Sequence, residues 1–406
     1  MPNTPELSEP TDAASVRVSR NQRAPHAAQG ELRVRAIRTQ VQRTSADLLY
    51  REAAASDYQQ IAALERRHGL QTKPREEWLS LWRDNPAYQK HAHWPIGWVI
   101  ENREGQITGY FGNVPLAYAF HKRKIVAATG RALVADPDYR GYAPSLVRRF
   151  IQQEGADLII NSSCNAASAP IHEALRFSRV PAGIWDRATF WITDYPGFVS
   201  SMMRKKALPR ALGFALVPPF WLKQTLASRR PQIRCELRVG THFDERFDEF
   251  WEELWHTRSR ELLADRSRAN LTWHFQHALL RDAAWVVSLN HGSKLAAYAI
   301  FVRQDNPEFG LKRIRLVDFQ SRTGNPAVLE SMLAWALEHC RRRGIHMLET
   351  FGLRPDKQEV IDRFSSLRRS LPAWLYYYKT RLEDLAGQLQ GPAVWDPSLL
   401  DGDITL

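Results

Sequence analysis

The sequence contains few cysteines, and their spacing excludes two kinds of site. Cys164, Cys235 and Cys340 are the three cysteines of the 406 residues, and no two of them form a C-x-x-C pair. Disulfide-stapled domains and structural zinc sites need several closely spaced cysteines. We therefore expect free thiols, no metal site and a reducing compartment.

Long apolar segments are also absent from the sequence. A membrane-spanning helix needs about 20 consecutive apolar residues, and no such run occurs. The N-terminal stretch MPNTPELSEP lacks the apolar core of a signal peptide. The length and the hydrophobic fraction of 44% suit two soluble domains of ordinary size. We expect a cytoplasmic protein.

Acidic residues are missing from one segment of a chain whose formal net charge is +12. Residues 201–234 contain no Asp or Glu but eight Lys and Arg residues, and Leu208–Leu222 are mostly apolar or aromatic. Two interpretations stay open. The segment is either a linker packed between domains, or it lies on the anionic inner face of a membrane with Phe220 and Trp221 as anchors. The second would give peripheral membrane contact over residues 204–230.

The remaining pattern predicts two domains of the same plan. The order helix, hairpin, strand, helix, strand, helix occurs twice, and the hairpin Trp98–Phe120 has a counterpart at Trp285–Arg303. Asp401 and Asp403, near the end of the chain, are expected to be solvated. The predicted segments are a disordered basic tail (1–45), a first domain (46–200), a basic amphipathic linker (201–234), a second domain (235–385) and a C-terminal tail (386–406).

One stretch, Lys124–Ile151, has the pattern of an anion-binding turn. Ile125–Val134 is predicted to form a buried strand, which Asp136 ends as a turn residue. Arg140 and several small residues follow, where an amphipathic helix begins. A helix N-terminus offers unpaired backbone amides, and small residues allow a pyrophosphate to approach them. A solvated strand-to-helix connection would have the same spacing, so this pattern alone leaves both interpretations open.

These residues resemble a known family. The run V-x-x-P-x-Y-R-G, which ends at Gly141, resembles motif A of the GNAT acyl-CoA N-acyltransferases, whose phosphate turn reads Q/R-x-x-G-x-G/A. Arg140, Ala143 and Ser145 stand at the matching positions, so other small residues replace both glycines. The resemblance covers Tyr50–Tyr195. It implies an α/β fold with mixed sheets, two GNAT-like domains in tandem as in bacterial proteins of this type, and acetyl-CoA or another acyl-CoA as substrate.

The resemblance also implies a set of cofactor-binding residues. Backbone amides at Leu133 and Val134 would hold the pantetheine arm and the thioester. Asn165 and Ser168 would contact the cofactor or the leaving thiol. The second domain lacks the spacing of the phosphate turn in its run SRTGNP, so we expect only the first domain to bind acyl-CoA. The pyrophosphate would lie against Arg140, Gly141, Tyr142, Ala143 and Ser145.

The sequence does not identify a general base. Many GNAT enzymes carry an acid on the motif strand, but Ala127–Ala135 contains none. Cys164 and Asn165 are candidate catalytic residues near the leaving thiol, with Cys164 as a proton donor. Asp318, on the equivalent strand of the second domain, is a candidate base if the two domains share a cleft. His172 is a weaker candidate base.

Three functions stay open. The favoured one is an acyltransferase that moves an acetyl or other acyl group from acyl-CoA to an amine or hydroxyl of a small-molecule or sugar/envelope-type acceptor. The second resembles the tandem-GNAT aminoacyl transferases that use charged tRNA, for which the basic charge is suited. The third is a non-catalytic module that binds acyl-CoA or another ligand. Nucleic acid is expected as a partner only in the second case.

Overall fold

The computed structural model describes residues 48–91, 93–209, 217–219, 221–222, 231–365, 367–371 and 375–406. The predicted N-terminal tail, 1–45, lies outside the described residues, and so does most of the linker between 210 and 230. Within the described residues, no helix is long and apolar enough to cross a membrane. Residues Tyr50–Leu406 form one unit by their internal contacts.

The described strands follow the alternation of apolar residues in the sequence. This alternation predicts strands at Ile107–Phe120, Ile314–Gln320 and Leu375–Thr380, and the structure confirms each of them to within one residue at each end. The strands are β1 (Leu49–Glu52), β2 (Gly97–Glu101), β3 (Ile107–Phe120), β4 (Arg123–Ala135), β5 (Leu158–Cys164), β6 (Ser178–Arg179), β7 (Arg187–Ile192), β8 (Leu237–Gly240), β9 (Leu263–Ala264), β10 (Ala284–His291), β11 (Lys294–Arg303), β12 (Arg313–Ser321), β13 (Met347–Thr350), β14 (Leu367–Ser370) and β15 (Leu375–Thr380).

The helices begin where the sequence supplies caps or prolines. The Asp244 carboxylate accepts a hydrogen bond from the Arg246 amide, and the Asn325 side chain accepts one from the Ala327 amide. The helices are α1 (Tyr58–Arg67), α2 (Arg75–Arg83), α3 (Ala143–Gln152), α4 (Ala169–Ala174), α5 (Tyr195–Lys205), α6 (Glu245–Thr257), α7 (Arg268–Leu280), α8 (Pro326–Arg342), α9 (Pro355–Asp362) and α10 (Glu383–Gln388).

The strands form two mixed sheets of the same plan. The described part of the first sheet has the order β1-β2-β3-β4-β5-β15-β6, with β9 paired to β3, and the second has β8-β10-β11-β12-β13-β7-β14. In each sheet an antiparallel hairpin leads to a central strand, β4 or β12. That strand then pairs in parallel with the next one, β5 or β13. The repeated order inferred from the sequence is therefore present in the sheets.

Each sheet contains at least one strand from the other half of the sequence. β7, which comes from the first half of the sequence, pairs antiparallel with β13 of the second sheet. β15, from the second half, pairs antiparallel with β5 of the first sheet. Because each sheet contains a strand from the other half, neither sheet is made from one continuous segment. The boundaries at 46–200 and 235–385 stay a prediction about sequence organisation.

A single apolar core joins the two halves. It contains Trp78 and Tyr110 from the first half, and Phe250 and Tyr298 from the second. Trp395, from the C-terminal segment, belongs to the same core. A second core lies between the second sheet and α8, ten of whose residues are buried. Because burial of apolar area stabilises in proportion to its extent, the shared core couples the two halves.

The C-terminal segment 386–406 is folded against both halves. The Leu399 amide donates to the Val317 carbonyl of β12 at 3.0 Å, and the Tyr118 hydroxyl of β3 donates to the Asp401 carbonyl at 2.6 Å. Asp401 is 4% exposed. The expectation that Asp401 and Asp403 are solvated is therefore wrong. The sequence shows their polarity, but not the hydrogen-bond donors from distant strands that accompany their burial.

Candidate active site

The central strand of the first sheet is interrupted by a bulge. Tyr110 pairs with Val134 and Gly112 pairs with Arg131, so that Ala132 and Leu133 together lie opposite Phe111. Ala132 has a φ of +56°, in the left-handed region. A bulge leaves the extra residue out of the regular ladder. The backbone groups of this part of β4 are therefore turned away from the regular pairing with β3.

Phe111 also restricts position 130, which precedes the bulge, to glycine. A Cβ at Gly130 would lie 2.3 Å from the Phe111 ring, which is far inside van der Waals contact. Phe111 itself is buried and packs edge-on against Phe150 of α3, with 4.9 Å between the ring centroids. A side chain at position 130 would therefore have to displace this aromatic pair. The bulge, the glycine and the helix form one packed arrangement.

β4 and β5 separate beyond this point. Their parallel pairing ends at Thr129 and Ile160, although β4 continues to Ala135 and β5 to Cys164. The gap is a cavity of about 400 Å³, which we call the strand cleft. Its lining includes Gly130, Arg131, Ala132, Leu133, Asn161, Ser163, Cys164, Asn165, Ser168 and Asp403.

The predicted phosphate turn directly follows β4. Pro137–Tyr142 form a 3₁₀ turn, and α3 begins at Ala143 with no side-chain cap on its first amides. Arg140 and Gly141 are exposed, and a Cβ at Gly141 would meet nothing within 4 Å. The Ala143 amide already donates to the Arg140 carbonyl, and Pro144 has no N–H, so the amides that this helix N-terminus can offer to an anion begin at Ser145.

The acid at the start of this turn has a structural role. The Asp136 carboxylate accepts hydrogen bonds from Arg67 at 2.8 Å and contacts His68 at 3.1 Å. Burial alone would raise the pKa of Asp136, but these two contacts outweigh burial and lower it. Asp136 therefore remains a carboxylate and links the turn to α1. The interpretation of Asp136 as a turn former, not a base, agrees with this position.

The end of β5 carries a polar cluster. The Asn165 side chain accepts hydrogen bonds from the Ala167 and Ser168 amides, which turns the chain into α4. The Cys164 sulfur lies 3.0 Å from the Ser168 hydroxyl and 3.3 Å from Nδ1 of His172. Nε2 of His172 lies 2.9 Å from the Asn161 side-chain amide.

Burial sets the charge state of this cluster. Burial raises the pKa of the Cys164 thiol to about 11, against a hydrogen bond from Ser168 that lowers it. Burial also lowers the pKa of His172. At neutral pH the thiol is therefore protonated and the imidazole is uncharged. Nδ1 of His172 lies 2.9 Å from the Ser168 carbonyl, which makes this nitrogen a donor.

The structure brings part of the predicted site together. Leu133, Cys164, Asn165 and Ser168 line the strand cleft. Val134 is buried beside them on β4 and is 7% exposed. The five predicted turn residues, 140–143 and 145, lie after the end of β4, and α3 contacts α4, which carries Ser168 at its start.

Asp318 is not in the strand cleft, contrary to the expectation that it is a candidate base there. It is fully buried on β12, where Nε of Arg266 donates to it at 2.9 Å and the Tyr298 hydroxyl donates at 2.7 Å. Burial would raise the pKa of Asp318, but the charge of Arg266 lowers it. Both carboxylate oxygens of Asp318 accept hydrogen bonds from residues of the second half. Asp318 therefore has a structural role and is not positioned for proton transfer in the strand cleft.

A larger cavity of about 620 Å³ lies between the two halves, and we call it the central cavity. The first half contributes residues of α2 and the loop before it, including Lys73 and Glu77. The second half contributes α7 and the loop between β11 and β12. Gln71, Ile404 and Leu406 line both this cavity and the strand cleft, so the two spaces meet there.

Only one side of the central cavity could be predicted from the sequence. The family resemblance implies that the helical region near Trp78 forms part of an acceptor pocket, and Glu77 and Ser80 of this region line the central cavity. Trp273 and His274 of α7 line the opposite side. In the sequence they belong to a helix whose apolar residues show no single face, so neither residue could be distinguished from core.

At the corresponding position in the second sheet, a cavity of about 510 Å³ is present, but neighbouring residues contact the backbone of β12 there. Parallel pairing of β12 with β13 ends at Arg315 and Glu349. Beyond that point the Val317 carbonyl accepts from the Leu399 amide, and the Phe319 carbonyl accepts from the Lys357 ammonium at 3.1 Å. These contacts use backbone groups of β12 that a pantetheine arm would need.

Comparison with known proteins identifies the fold. No family model and no curated protein matches the sequence significantly. Among solved structures, Saccharomyces cerevisiae N-myristoyltransferase with bound myristoyl-CoA matches 82% of this chain and 79% of its own, with a TM-score of 0.55 and 9% identity. A GCN5-related N-acetyltransferase from Kribbella flavida matches 82% of this chain and 71% of its own, with a TM-score of 0.51 and 9% identity.

These matches concern the fold, because their sequence identity is low. The chain has a mixed α/β fold of the GNAT and N-myristoyltransferase type, and the fold class expected from the sequence is confirmed. Fold alone does not establish an activity, since one fold supports many chemistries. The function has to be argued from the strand cleft and the central cavity.

Proposed function

We propose that this chain transfers an acyl group from acyl-CoA to an amine or hydroxyl of a small-molecule or sugar/envelope-type acceptor. The observation that carries the proposal is the succession along one strand of the bulge at Ala132, the separation from β5 and the uncapped start of α3. These three features suit a thioester, a pantetheine arm and a pyrophosphate respectively. Bound myristoyl-CoA in a protein of the same fold adds support.

The bulge would polarise the thioester. Transition-state charge develops on the carbonyl oxygen during acyl transfer, and backbone amides held in place stabilise it without reorganising. In this proposal the amides near Leu133 and Val134 have that task. Arg140, beside the first amides of α3, would add charge-assisted hydrogen bonds to the pyrophosphate, together with Gly141, Tyr142, Ala143 and Ser145.

The cluster at the end of β5 would receive the leaving thiol. Cys164 is protonated at neutral pH because burial raises its pKa to about 11. It can therefore donate a hydrogen bond, but not act as a thiolate nucleophile, in this environment. Asn165 and Ser168 hold the turn beside it. We assign these three residues to positioning and stabilising the thiol as it departs.

The acceptor would enter through the central cavity. That cavity meets the strand cleft at Gln71, Ile404 and Leu406, so a nucleophile there would approach the thioester through this junction. Bringing both reactants to one junction supplies the effective concentration on which such transfers depend. We further propose a bacterial tandem-GNAT type and a cytoplasmic location.

Peripheral membrane contact through residues 204–230 stays part of the proposal. Most of these residues lie outside the described part of the chain. Among those described, Leu208, Trp221 and Leu222 are 45%, 50% and 49% exposed. Exposed Trp and Leu beside lysines and arginines are typical of segments that lie on anionic membranes.

A calorimetric titration with acetyl-CoA and desulfo-CoA tests the proposal. We expect one site per chain, and Arg140→Ala should weaken binding by about 1.5–3 kcal/mol, the usual range for hydrogen bonds to charged groups. Arg148→Ala is the matched control, because Arg148 is an exposed arginine of α3, the helix that follows the turn, and its loss should leave affinity unchanged.

The outcome also separates the alternatives. If neither coenzyme A ligand binds, acyl-CoA transfer is wrong, and salt-sensitive binding of charged tRNA would then favour the aminoacyl-transferase alternative. Binding without release of free CoA in the presence of any amine or hydroxyl acceptor would favour the non-catalytic module. Equal loss in both arginine variants would mean that the turn acts only through its overall charge.

A further inference from the structure

The central cavity carries an excess of positive charge. Its lining contains five cationic side chains and three acidic ones, and the acid Glu308 is exposed to solvent. The cationic residues are Lys73, Arg281, Arg303, Arg313 and Arg315, and the acidic residues are Glu77, Asp305 and Glu308.

The acids do not neutralise this set. Arg281 pairs with Glu77, and Arg303 pairs with Asp305. Arg313 and Arg315 share a single carboxylate, that of Glu349. Glu349, fully buried behind the lining, accepts from Nε of Arg315 at 2.8 Å and lies 3.5 Å from Arg313.

A third arginine contacts the same carboxylate, so the excess of positive charge is larger still. Arg369 also donates to the Glu349 carboxylate. Burial, followed by the charge of Arg315, lowers the pKa of Arg313 to about 10. A guanidinium holds its proton in almost every protein setting. The lowered value here reflects burial first and the charge of the neighbouring arginine second.

Lys73 is the cation without an acid of its own. Its backbone is fixed because the Tyr58 hydroxyl donates to the Lys73 carbonyl at 2.8 Å. The side chain is half-buried, and among the described residues no acid forms an ion pair with its ammonium, although the charges of Glu77 and Glu65 act on it from a distance. Burial, and then the charge of Arg131, lower the pKa of Lys73 to about 8.

An ammonium withdrawn from water without a partner is unfavourable, and an anion at the same place would remove that cost. We propose that the central cavity binds the acid group of the acceptor, a carboxylate or phosphate, through Lys73. The inference rests on the proposed function, and it makes the acceptor an amine or alcohol that carries an acid group. The nucleophile then extends toward the junction at Gln71 and Leu406.

The test is calorimetry on the full chain saturated with desulfo-CoA. The probes are β-alanine, 2-aminoethyl phosphate and propylamine, which share an aliphatic amine and differ in the acid group. We expect the two acidic amines to bind and propylamine not to bind. The stronger of the two acidic probes distinguishes a carboxylate from a phosphate ligand. Lys73→Met should weaken their binding at least tenfold, and Lys73→Arg should retain most of it.

Lys294→Met is the matched control, because Lys294 is an exposed lysine at the start of β11. Equal affinity for propylamine, no effect of Lys73→Met, or no binding of either acidic amine would overturn the inference. Titration with propionate and inorganic phosphate in the absence of desulfo-CoA separates it from the proposed function. Anion binding lost in Lys73→Met, in a chain that ignores desulfo-CoA, would keep the anion site and reject acyl-CoA transfer.

Discussion

Asp401 is the residue whose environment differs most from its expected one. Its Oδ2 accepts a hydrogen bond from the Ser398 amide at 2.7 Å, while its Oδ1 has no partner among the described residues. Arg266 is 3.8 Å away, but that guanidinium is already paired with Asp318. Burial therefore dominates, and the pKa of Asp401 is raised to about 7 in spite of Arg266.

This raised pKa predicts a pH-dependent stability. Because the folded-state pKa of about 7 lies above the unfolded value, folding takes up a proton. The stabilising contribution is complete below the unfolded pKa and is lost as the pH rises through 7. Between pH 5 and pH 8, wild type should lose about 2–3 kcal/mol of unfolding free energy relative to Asp401→Asn, at about 1.4 kcal/mol per pKa unit.

Urea denaturation of both proteins at the two pH values measures this difference. Asp384→Asn is the control, since Asp384 is an exposed acid that contacts Arg123 on the surface. A parallel pH dependence of wild type and Asp401→Asn would show that Asp401 is not the titrating group.

Residue-level features of the cleft were only partly accessible from sequence. Arg140 and Ser168 could be located because motif spacing is a local property of the chain. Asp318 was misassigned because its role depends on Arg266, which is 52 positions away. Lys73 showed no signal at all, since a single lysine before a short helix is ordinary until two halves enclose it.

At the scale of elements, the C-terminal segment 386–406 contacts both sheets and forms a clamp between them. The Ser162 and Ser163 hydroxyls of β5 both donate to the Asp403 carboxylate, at 3.0 and 2.5 Å. Gly402 lies so close to β5 that a Cβ there would be 1.9 Å from the Ser162 hydroxyl oxygen and 2.5 Å from its Cβ. The contact therefore requires glycine.

Gly402→Ala should loosen this segment from β5. Forcing a methyl group into a packed contact typically costs about 1–3 kcal/mol, and we expect a loss of that size in urea denaturation. Gly387→Ala is the control with the same chemistry. A Cβ at Gly387, inside α10, meets nothing within 4 Å, so this variant should gain about 0.5–1 kcal/mol from helix propensity.

Equal stability of Gly402→Ala and wild type would mean that the segment can shift without loss of stability, and the clamp would then be a weak one.

The strands, in contrast, could be predicted from the sequence. Their alternation of apolar residues is local, so β3 and β15 were predicted almost to the residue. The folding of segment 386–406 depends on hydrogen-bond donors that are distant in the sequence. Its polar composition alone therefore predicted a tail.

At the scale of the whole molecule, the exchange of β7 and β15 governs stability. Without β15, the β5 edge of the first sheet would be open, and without β7 the β13 edge of the second would be open. Open edges are templates for aggregation. The shared core that contains Trp78 and Phe250 adds apolar surface that either half alone would expose.

Expression of the two halves as separate chains tests this coupling. Residues 48–209 and residues 231–406 should each be insoluble or aggregated when produced alone. Produced together, they should copurify as a one-to-one complex that unfolds in one cooperative transition. The readouts are size-exclusion chromatography and thermal unfolding followed by circular dichroism. A soluble, cooperatively folded 48–209 fragment would show that β15 is dispensable.

The exchanged strands also bear on how the protein is made. A ribosome that has finished β5, which ends at Cys164, must add about 210 further residues before β15, which begins at Leu375, can emerge. At 5–20 residues per second this is a wait of about 10–40 s. Throughout that interval the nascent first sheet has an unpaired edge, and β7 has no partner strand until β13 is made. Synthesis from the N-terminus therefore cannot complete one half before the other. Until β15 is made, the unpaired edge of β5 has to be kept from pairing with strands of other chains.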